Sequence, residues 1–283
     1  MQYTKLLNNI EIPMLGYGTY KTAADEEGLQ MIKDAIKAGY RHIDTAQGYK
    51  NEHLVGQAIR ESGIPRNQFF VTTKVWNDNQ GYDKTKESIE ESLNKLNIDY
   101  IDLLLIHWPI PQGKNDEWKK LNQETWKAME EYYDAGLIKA IGVSNFLEHH
   151  LNNLLESARI MPMVNQLEIH PYYQQQSTVK FCQDKGIIVE SWGPLMRGKA
   201  FKDPKLIELA QRTNISVAQL CIRYCLDRNI VTLQKSSKFE RMIDNARVFG
   251  YHLDEYTMNE IAKLDTDWCY TFHPDRNEEW FKK

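Results

Sequence analysis

The 283-residue chain is 42% hydrophobic and 26% charged, the balance of a globular protein with a sizeable core and not of a fibre or a disordered linker. Lys and Arg number 35 and Asp and Glu 39, a formal charge of −4, so no global positive field gathers phosphate backbones or anionic lipid; neither nucleic acid nor membrane is expected as a partner. No apolar run approaches the roughly 20 residues needed to span a bilayer. The opening MQYTKLLNNIEIP lacks a basic segment followed by an apolar one, so the chain is expected to stay in the cytoplasm.

Length permits two domains of about 140 residues or one (β/α)8 barrel of about 250. No linker or low-complexity tract divides the chain, which is expected to be a single domain over residues 1–283. After a short stretch fit for a hairpin, MLGYGTY reads as a first strand and Asp25 to Ala38 as a helix stopped by Gly39. YRHIDTA follows as a strand, then a helix over Glu52 to Glu61 closed by Gly63 and Pro65. FFVTTKVW pairs with a helix over Lys84 to Leu96, and IDLLLIHW with a long helix through Trp126 to Asp134. LIKAIGVSN precedes a helix around Leu151 to Ser157, and MVNQLEI one around Val179 to Lys185. IIVESW leads into helical patterns at Lys205 to Thr213 and Val217 to Asp227, and IVTLQ into a helix beginning near Phe239. A further helix, Asp254 to Leu264, and an aromatic tail (Trp268, Tyr270, Phe272, Trp280, Phe281) remain. Cys182, Cys221, Cys225 and Cys269 show neither a zinc pattern nor a disulfide framework; Cys221 and Cys225, one helical turn apart, are expected in the core.

Alternating β and α elements imply a parallel sheet, open or closed. Nearly every strand run ends in a reactive or hydrogen-bonding residue: Asp44, Lys74, His107, Ser144 with Asn145, Gln166, Trp192 and Lys235. An open sheet collects ligands at its switch point, whereas a barrel gathers all eight strand ends around one mouth; the chain is therefore expected to be an α/β protein, a (β/α)8 TIM barrel. The G-x-G-x-x-G fingerprint is missing, since Lys21 stands where the third glycine of the Gly16, Gly18 run would be.

Asp44, Tyr49, Lys74 and His107 each have an ordinary reading: a helix-start acid, a packing aromatic, a snorkelling lysine, a satisfied core histidine. A barrel brings the ends of the second, third and fourth strands together, and the four then surround one pocket. A tyrosine titrates at about 10 when free, and a nearby ammonium lowers that value. Lys74, held by Asp44, is expected to supply the charge, and His107 a hydrogen bond to a substrate oxygen, leaving Tyr49 as a tuned general acid facing a carbonyl. Such a site has no hydride of its own and needs a nicotinamide cofactor. Ser144, Asn145 and Gln166 suit a carboxamide, and Trp192 a stacked ring. The segment from Lys235 to Asn245 opens a helix with cations and hydroxyls fit to hold a phosphate.

These residues lie in segments that resemble the aldo-keto reductases along essentially the whole chain: GYGTY, HIDTAQGYKNE, TTKVWN, LLLIHWP, IGVSNF, VNQLEIHP, SWGPL and KSSKFERMIDN occur in family order. The resemblance implies Tyr49 as proton donor, tuned by Lys74 and Asp44, with His107 orienting the carbonyl. It implies NADPH bound in extended form without a Rossmann fold. Ser144, Asn145 and Gln166 would hold the carboxamide, Trp192 the ring, Lys235, Ser236 and Arg241 the 2′-phosphate, and Asn245 the adenine. Thr19, Leu195 and Ser237 complete the implied cofactor contacts, and Asp44 counts among them. Tyr20, Trp76 and Trp108, with Tyr49 and His107, would line the substrate pocket, and the tail near Trp268 would close it. Three departures stand out: Trp192 replaces a common Tyr; Gln234 replaces a common Pro, which leaves the backbone less constrained; and Arg197 lies in a loop expected to cover the pyrophosphate, where it would add a phosphate contact.

The SWGPL and HWP forms look most like the bacterial branch of diketogluconate, glyoxal and methylglyoxal reductases, so small aldehydes, dicarbonyls and keto sugars are the expected substrates of a monomer. A cofactor-bound regulatory module with little turnover is the alternative. A metal-dependent barrel hydrolase would have only His107 and His170 to offer, and no metal is expected.

Overall fold

The computed structural model describes residues 1–276. Strands β1 (Tyr3–Lys5) and β2 (Glu11–Pro13) form an antiparallel hairpin that buries Leu6 and Ile12 just ahead of the first barrel strand. Eight parallel strands follow: β3 (Leu15–Gly18), β4 (His42–Asp44), β5 (Phe70–Val75), β6 (Leu103–Ile106), β7 (Ile141–Ser144), β8 (Val164–Glu168), β9 (Ile188–Trp192) and β10 (Val231–Gln234). They pair in chain order, and β10 bonds to both β9 and β3, closing the barrel that the strand-end chemistry predicts. Each strand is shorter than its apolar run in the sequence. In β3 to β8 the run's last residues leave the ladder to form the mouth, as where Thr19 N bonds back to Asp44 O at 2.9 Å after β3 has ended.

The outer layer consists of α1 (Glu26–Lys37), α2 (Glu52–Glu61), α3 (Tyr82–Leu96), α4 (Trp118–Asp134), α5 (Glu148–Leu155), α6 (Gln176–Asp184), α7 (Pro204–Thr213), α8 (Val217–Asp227), α9 (Phe239–Ala246) and α10 (Glu255–Ala262). Their ends follow from local chemistry. Asp25 accepts the Gly28 amide at 3.0 Å to start α1, a cap worth about 1 kcal/mol, and Gly39 stops it at φ +101°. Ser216 and Gln219 form a capping box on α8, which carries the buried Cys221 and Cys225. All four cysteines are unpaired. Helix α4 begins at Trp118, upstream of the periodic stretch around Trp126. Between β9 and α7, Met196–Lys202 forms a 3-10 turn that periodicity does not disclose, kinked where Met196, Arg197 and Gly198 all take positive φ.

The end of the described chain folds back onto α5. Asp275 Oδ1 lies 3.0 Å from Nε2 of both His149 and His150. His150 Nδ1 accepts the Leu147 amide at 3.1 Å, and the approach of Asp275 to both imidazoles holds the chain end against α5. Trp280 and Phe281 of the aromatic tail lie outside the described residues.

Candidate active site

At the barrel mouth, β4 and β5 place a carboxylate and an ammonium side by side. Lys74 Nζ donates to Asp44 Oδ2 at 2.6 Å and to Thr45 O at 2.9 Å, with both side chains buried. A pair so enclosed keeps its charges only because geometry and extra hydrogen bonds offset the lost hydration. Tyr49 sits in a 3-10 turn, Gln47–Tyr49, just after β4. Its ring centroid is 5.2 Å from Lys74 Nζ, 5.6 Å from the His107 ring and 5.1 Å from the Tyr20 ring, so the four residues singled out from strand ends do meet. The turn is fixed by Gln47, whose Nε2 donates to Ser88 O and Ser92 Oγ and whose Oε1 accepts from Trp76 N. Gly48 is required there, since a Cβ would stand 2.4 Å from the Trp76 ring.

One electrostatic expectation is reversed. The Tyr49 phenol is pushed well up from its ordinary value, first by burial and then by the charge of Asp44 and by Tyr20; Lys74, spent on Asp44, does not draw it down. The phenol is therefore a stored proton in the free protein. Its hydroxyl makes no hydrogen bond among the described residues. His107 is held well below the ordinary histidine range by burial and by Lys74, so the imidazole is neutral. Its Nδ1 is buried without a hydrogen-bond partner among the described residues.

The predicted cofactor residues form a connected shelf beside His107. Ser144 Oγ donates to Gln166 O at 2.9 Å. Asn145, at φ +63°, sends Nδ2 to His107 O at 2.9 Å and to Ser144 Oγ, and accepts Trp192 Nε1 at 2.9 Å. Position 192 thus uses its indole N–H to lock Asn145. Gln166 Nε2 bridges Asp44 Oδ2 and Glu190 Oε2, and its side-chain Oε1 makes no hydrogen bond among the described residues. Thr19 Oγ1 is spent on Asp44 O and Asn51 Oδ1, and Asn51 in turn ties Thr19, Thr22 and Thr45 together.

At the end of β10, Lys235 Nζ donates to Tyr20 O at 2.8 Å, and burial and Lys21 lower its affinity for a proton. Among the described residues, Lys21, Lys235 and Arg241 form no ion pair with a carboxylate. Ser236 Oγ bonds the backbone of Lys238, while Ser237, Arg241 and Arg197 are exposed, and Leu195 is half-buried. Gln234 does not loosen the backbone as expected: Nε2 donates to Tyr40 Oη at 2.5 Å and Oε1 accepts from Asn245 Nδ2 at 2.9 Å. Asn245 is buried against it, with its Oδ1 outside that bond.

Trp76 stands edge-on to His107 at 5.3 Å and Trp108 to Trp192 at 6.5 Å. The tail reaches the mouth through Glu168, which accepts Tyr270 N and Thr271 Oγ1, and Trp268 itself is 61% exposed. His170 faces Tyr270 at 5.2 Å, while the His107 ring faces Tyr49 and Trp76. Gln47, Asn51, His42 and Glu190 escaped the sequence reading, because only the closed barrel reveals their partners.

Residues 14–266 match the aldo/keto reductase family. The chain is 45% identical over 271 residues to the glyoxal reductase of Bacillus subtilis, covering 96% of this chain and 95% of that one. It is 41% identical over 263 residues to methylglyoxal reductase DkgA of Escherichia coli, covering 92% of each. Among solved structures, an aldo-keto reductase of Bombyx mori in complex with NADP superimposes with a TM-score of 0.87 at 34% identity, over 97% of this chain and 96% of that one. A variant of Gox0644 in complex with NADPH gives 0.89 at 35% identity, over 97% of each.

Proposed function

Because the chain belongs to the aldo/keto reductase family and is an NADP-dependent oxidoreductase, we propose that it reduces small aldehydes, dicarbonyls and keto sugars with Tyr49 as general acid. The observation that carries this reading is the buried Lys74–Asp44 pair beneath Tyr49 and the neutral His107. The residues fit NADPH: Lys21, Lys235 and Arg241, without acidic partners among the described residues, suit its phosphates, Trp192 offers a face, and Gln166 Oε1 an acceptor. When bound, NADPH supplies the hydride.

The chain supplies the rest. His107, kept neutral, donates a hydrogen bond to the carbonyl oxygen, and Tyr49 Oη gives its proton to that oxygen as alkoxide character develops. An alkoxide is far more basic than a phenolate, so a raised phenol still donates. Asp44 fixes Lys74 5.2 Å from the ring, where the ammonium also holds the Thr45 carbonyl of the segment that carries Tyr49. Tyr20, Trp76 and Trp108 wall the pocket with apolar surface, suited to compact carbonyls held by one polar anchor. The similarity to glyoxal and methylglyoxal reductases supports the dicarbonyls first. Loss of NADPH absorbance with glyoxal, methylglyoxal or a keto sugar tests the class; no oxidation with any of them would refute it.

Specificity for NADPH over NADH is assigned to Lys235 and Arg241, because cations aimed at a phosphate gain nothing from a hydroxyl. Arg241→Ala is expected to weaken NADPH binding by about ten- to a hundredfold, the size of a charge-assisted contact, and NADH hardly at all. Fluorescence titration with both cofactors checks it; equal losses would contradict the assignment.

A further inference from the structure

Glu190 lies within the barrel beside the catalytic pair and has no part in the chemistry above. It is fully buried on β9, and Gln166 Nε2 donates to its Oε2 at 2.6 Å while also donating to Asp44 Oδ2 at 2.9 Å. The ammonium of Lys74 is engaged by Asp44 and Thr45 O. Glu190 Oε1 has no hydrogen-bond partner among the described residues. The charged and titratable groups facing it are His42 and Asp44 from β4 and Lys74 from β5. Strand β10 offers Val231, its partner in the ladder, and β8 offers Gln166, with Glu168 farther along holding the tail. His42 is no countercharge: burial and Lys74 bring its imidazole down to about 3, and its Nε2 is 3.0 Å from Thr72 Oγ1 and 3.5 Å from Glu190 Oε1.

The interior therefore contains two carboxyls and one ammonium. A net negative charge in so enclosed a space is costly, and one proton is retained instead. Burial and the neighbouring Asp44 place it on Glu190, whose carboxyl is pushed up to about 8.

We propose that Glu190 is a charge-balancing positioning residue of the reductase cycle: it keeps its proton beside a neutral reduced nicotinamide and releases it to solvent when the cationic oxidised ring occupies the mouth. The proposal rests on the reading of Gln166 and Trp192 as the nicotinamide seat. Only the O–H bond of Glu190 breaks; the proton passes to water and the carboxylate offsets the charge of the ring. Affinity for NADP+ is then linked to proton loss. It rises by up to about tenfold per pH unit as pH climbs toward about 8 and levels off above, whereas NADPH brings no ring charge and shows no such rise.

The test is fluorescence titration of the intact enzyme with each cofactor from about pH 6 to about pH 9, reading the ratio of the NADP+ and NADPH dissociation constants so that ionisation of the shared 2′-phosphate cancels. In the unsubstituted enzyme the ratio should fall at least about fivefold across this range; in Glu190→Gln it should stay flat within about twofold, and in Glu190→Asp the slope should persist. A flat ratio in the unsubstituted enzyme, or a slope that survives in Glu190→Gln, overturns the proposal while leaving the cofactor seat standing. Failure of both cofactors to bind overturns the seat and the proposal with it. If Glu190→Gln does not fold, proton release on adding NADP+ to weakly buffered enzyme at about pH 7.5 decides: about half a proton or more per site supports the proposal, and none overturns it.

Discussion

Tyr49→Phe is expected to lose about 10²- to 10⁴-fold in kcat for carbonyl reduction, the range that a positioned proton donor contributes. The fold and the cofactor seat should not notice the change. The Tyr49 hydroxyl bonds to nothing among the described residues, so its removal orphans no partner, and the ring that packs against Tyr20 and His107 is retained. Thermal or urea unfolding should therefore move by no more than about 0.5 kcal/mol, and NADPH should bind within about twofold of the parent. The direction of the phenol shift adds a pH signature. Burial, Asp44 and Tyr20 all raise it, so the proton is present in the free enzyme throughout the neutral and mildly alkaline range, and kcat/KM should show no basic limb from Tyr49 below the ordinary phenol value. Turnover of Tyr49→Phe within tenfold of the parent would remove the phenol from the mechanism.

That shift also marks where sequence reasoning reached its end. Asp44, Lys74 and His107 were legible because a charged or polar residue closing an apolar strand run needs a partner, and a barrel supplies one from the next strand. The alternation of runs and helices likewise disclosed the closed topology, since polar residues ended nearly every strand. The sign of the Tyr49 shift was not legible. It depends first on how deeply the phenol is buried and then on which charges face it, with Asp44 already holding the Lys74 ammonium at 2.6 Å, which is a matter of packing and distances. Glu190 was hidden for a related reason. Within IIVESW it reads as one polar residue in a short strand, and its partners, Gln166 and the Asp44 beyond it, are 24 and 146 positions away. Gln234 shows the opposite error: the lost ring constraint of a proline was visible, but the compensating bonds to Tyr40 and Asn245 were not. The kinked turn at Met196–Lys202 carries positive φ at two non-glycine positions, and such geometry is set by the packing around it.

Lys74→Met keeps the length and volume of the side chain and removes only the charge, and it is expected to cost about 3–5 kcal/mol of stability, the usual penalty for breaking a buried pair. Loss of one partner here strands two acids, because Asp44 and Glu190 share the single amide nitrogen of Gln166 and His42 offers no compensating positive charge. The variant should relieve the repulsion by holding protons on these carboxyls in the folded state, with folded values above those of the unfolded chain. Groups of that kind bind more protons folded than unfolded, so their contribution is fully present below the unfolded value of about 4 and disappears as pH rises through the folded value. The stability deficit of Lys74→Met relative to the parent should consequently shrink on going from about pH 8 to about pH 5.5, the reverse of what loss of an ordinary carboxylate salt bridge would give. Urea unfolding of both proteins at the two pH values measures the difference, and a deficit that does not change with pH would mean that the barrel interior does not confine these acids as the Gln166 bridge requires.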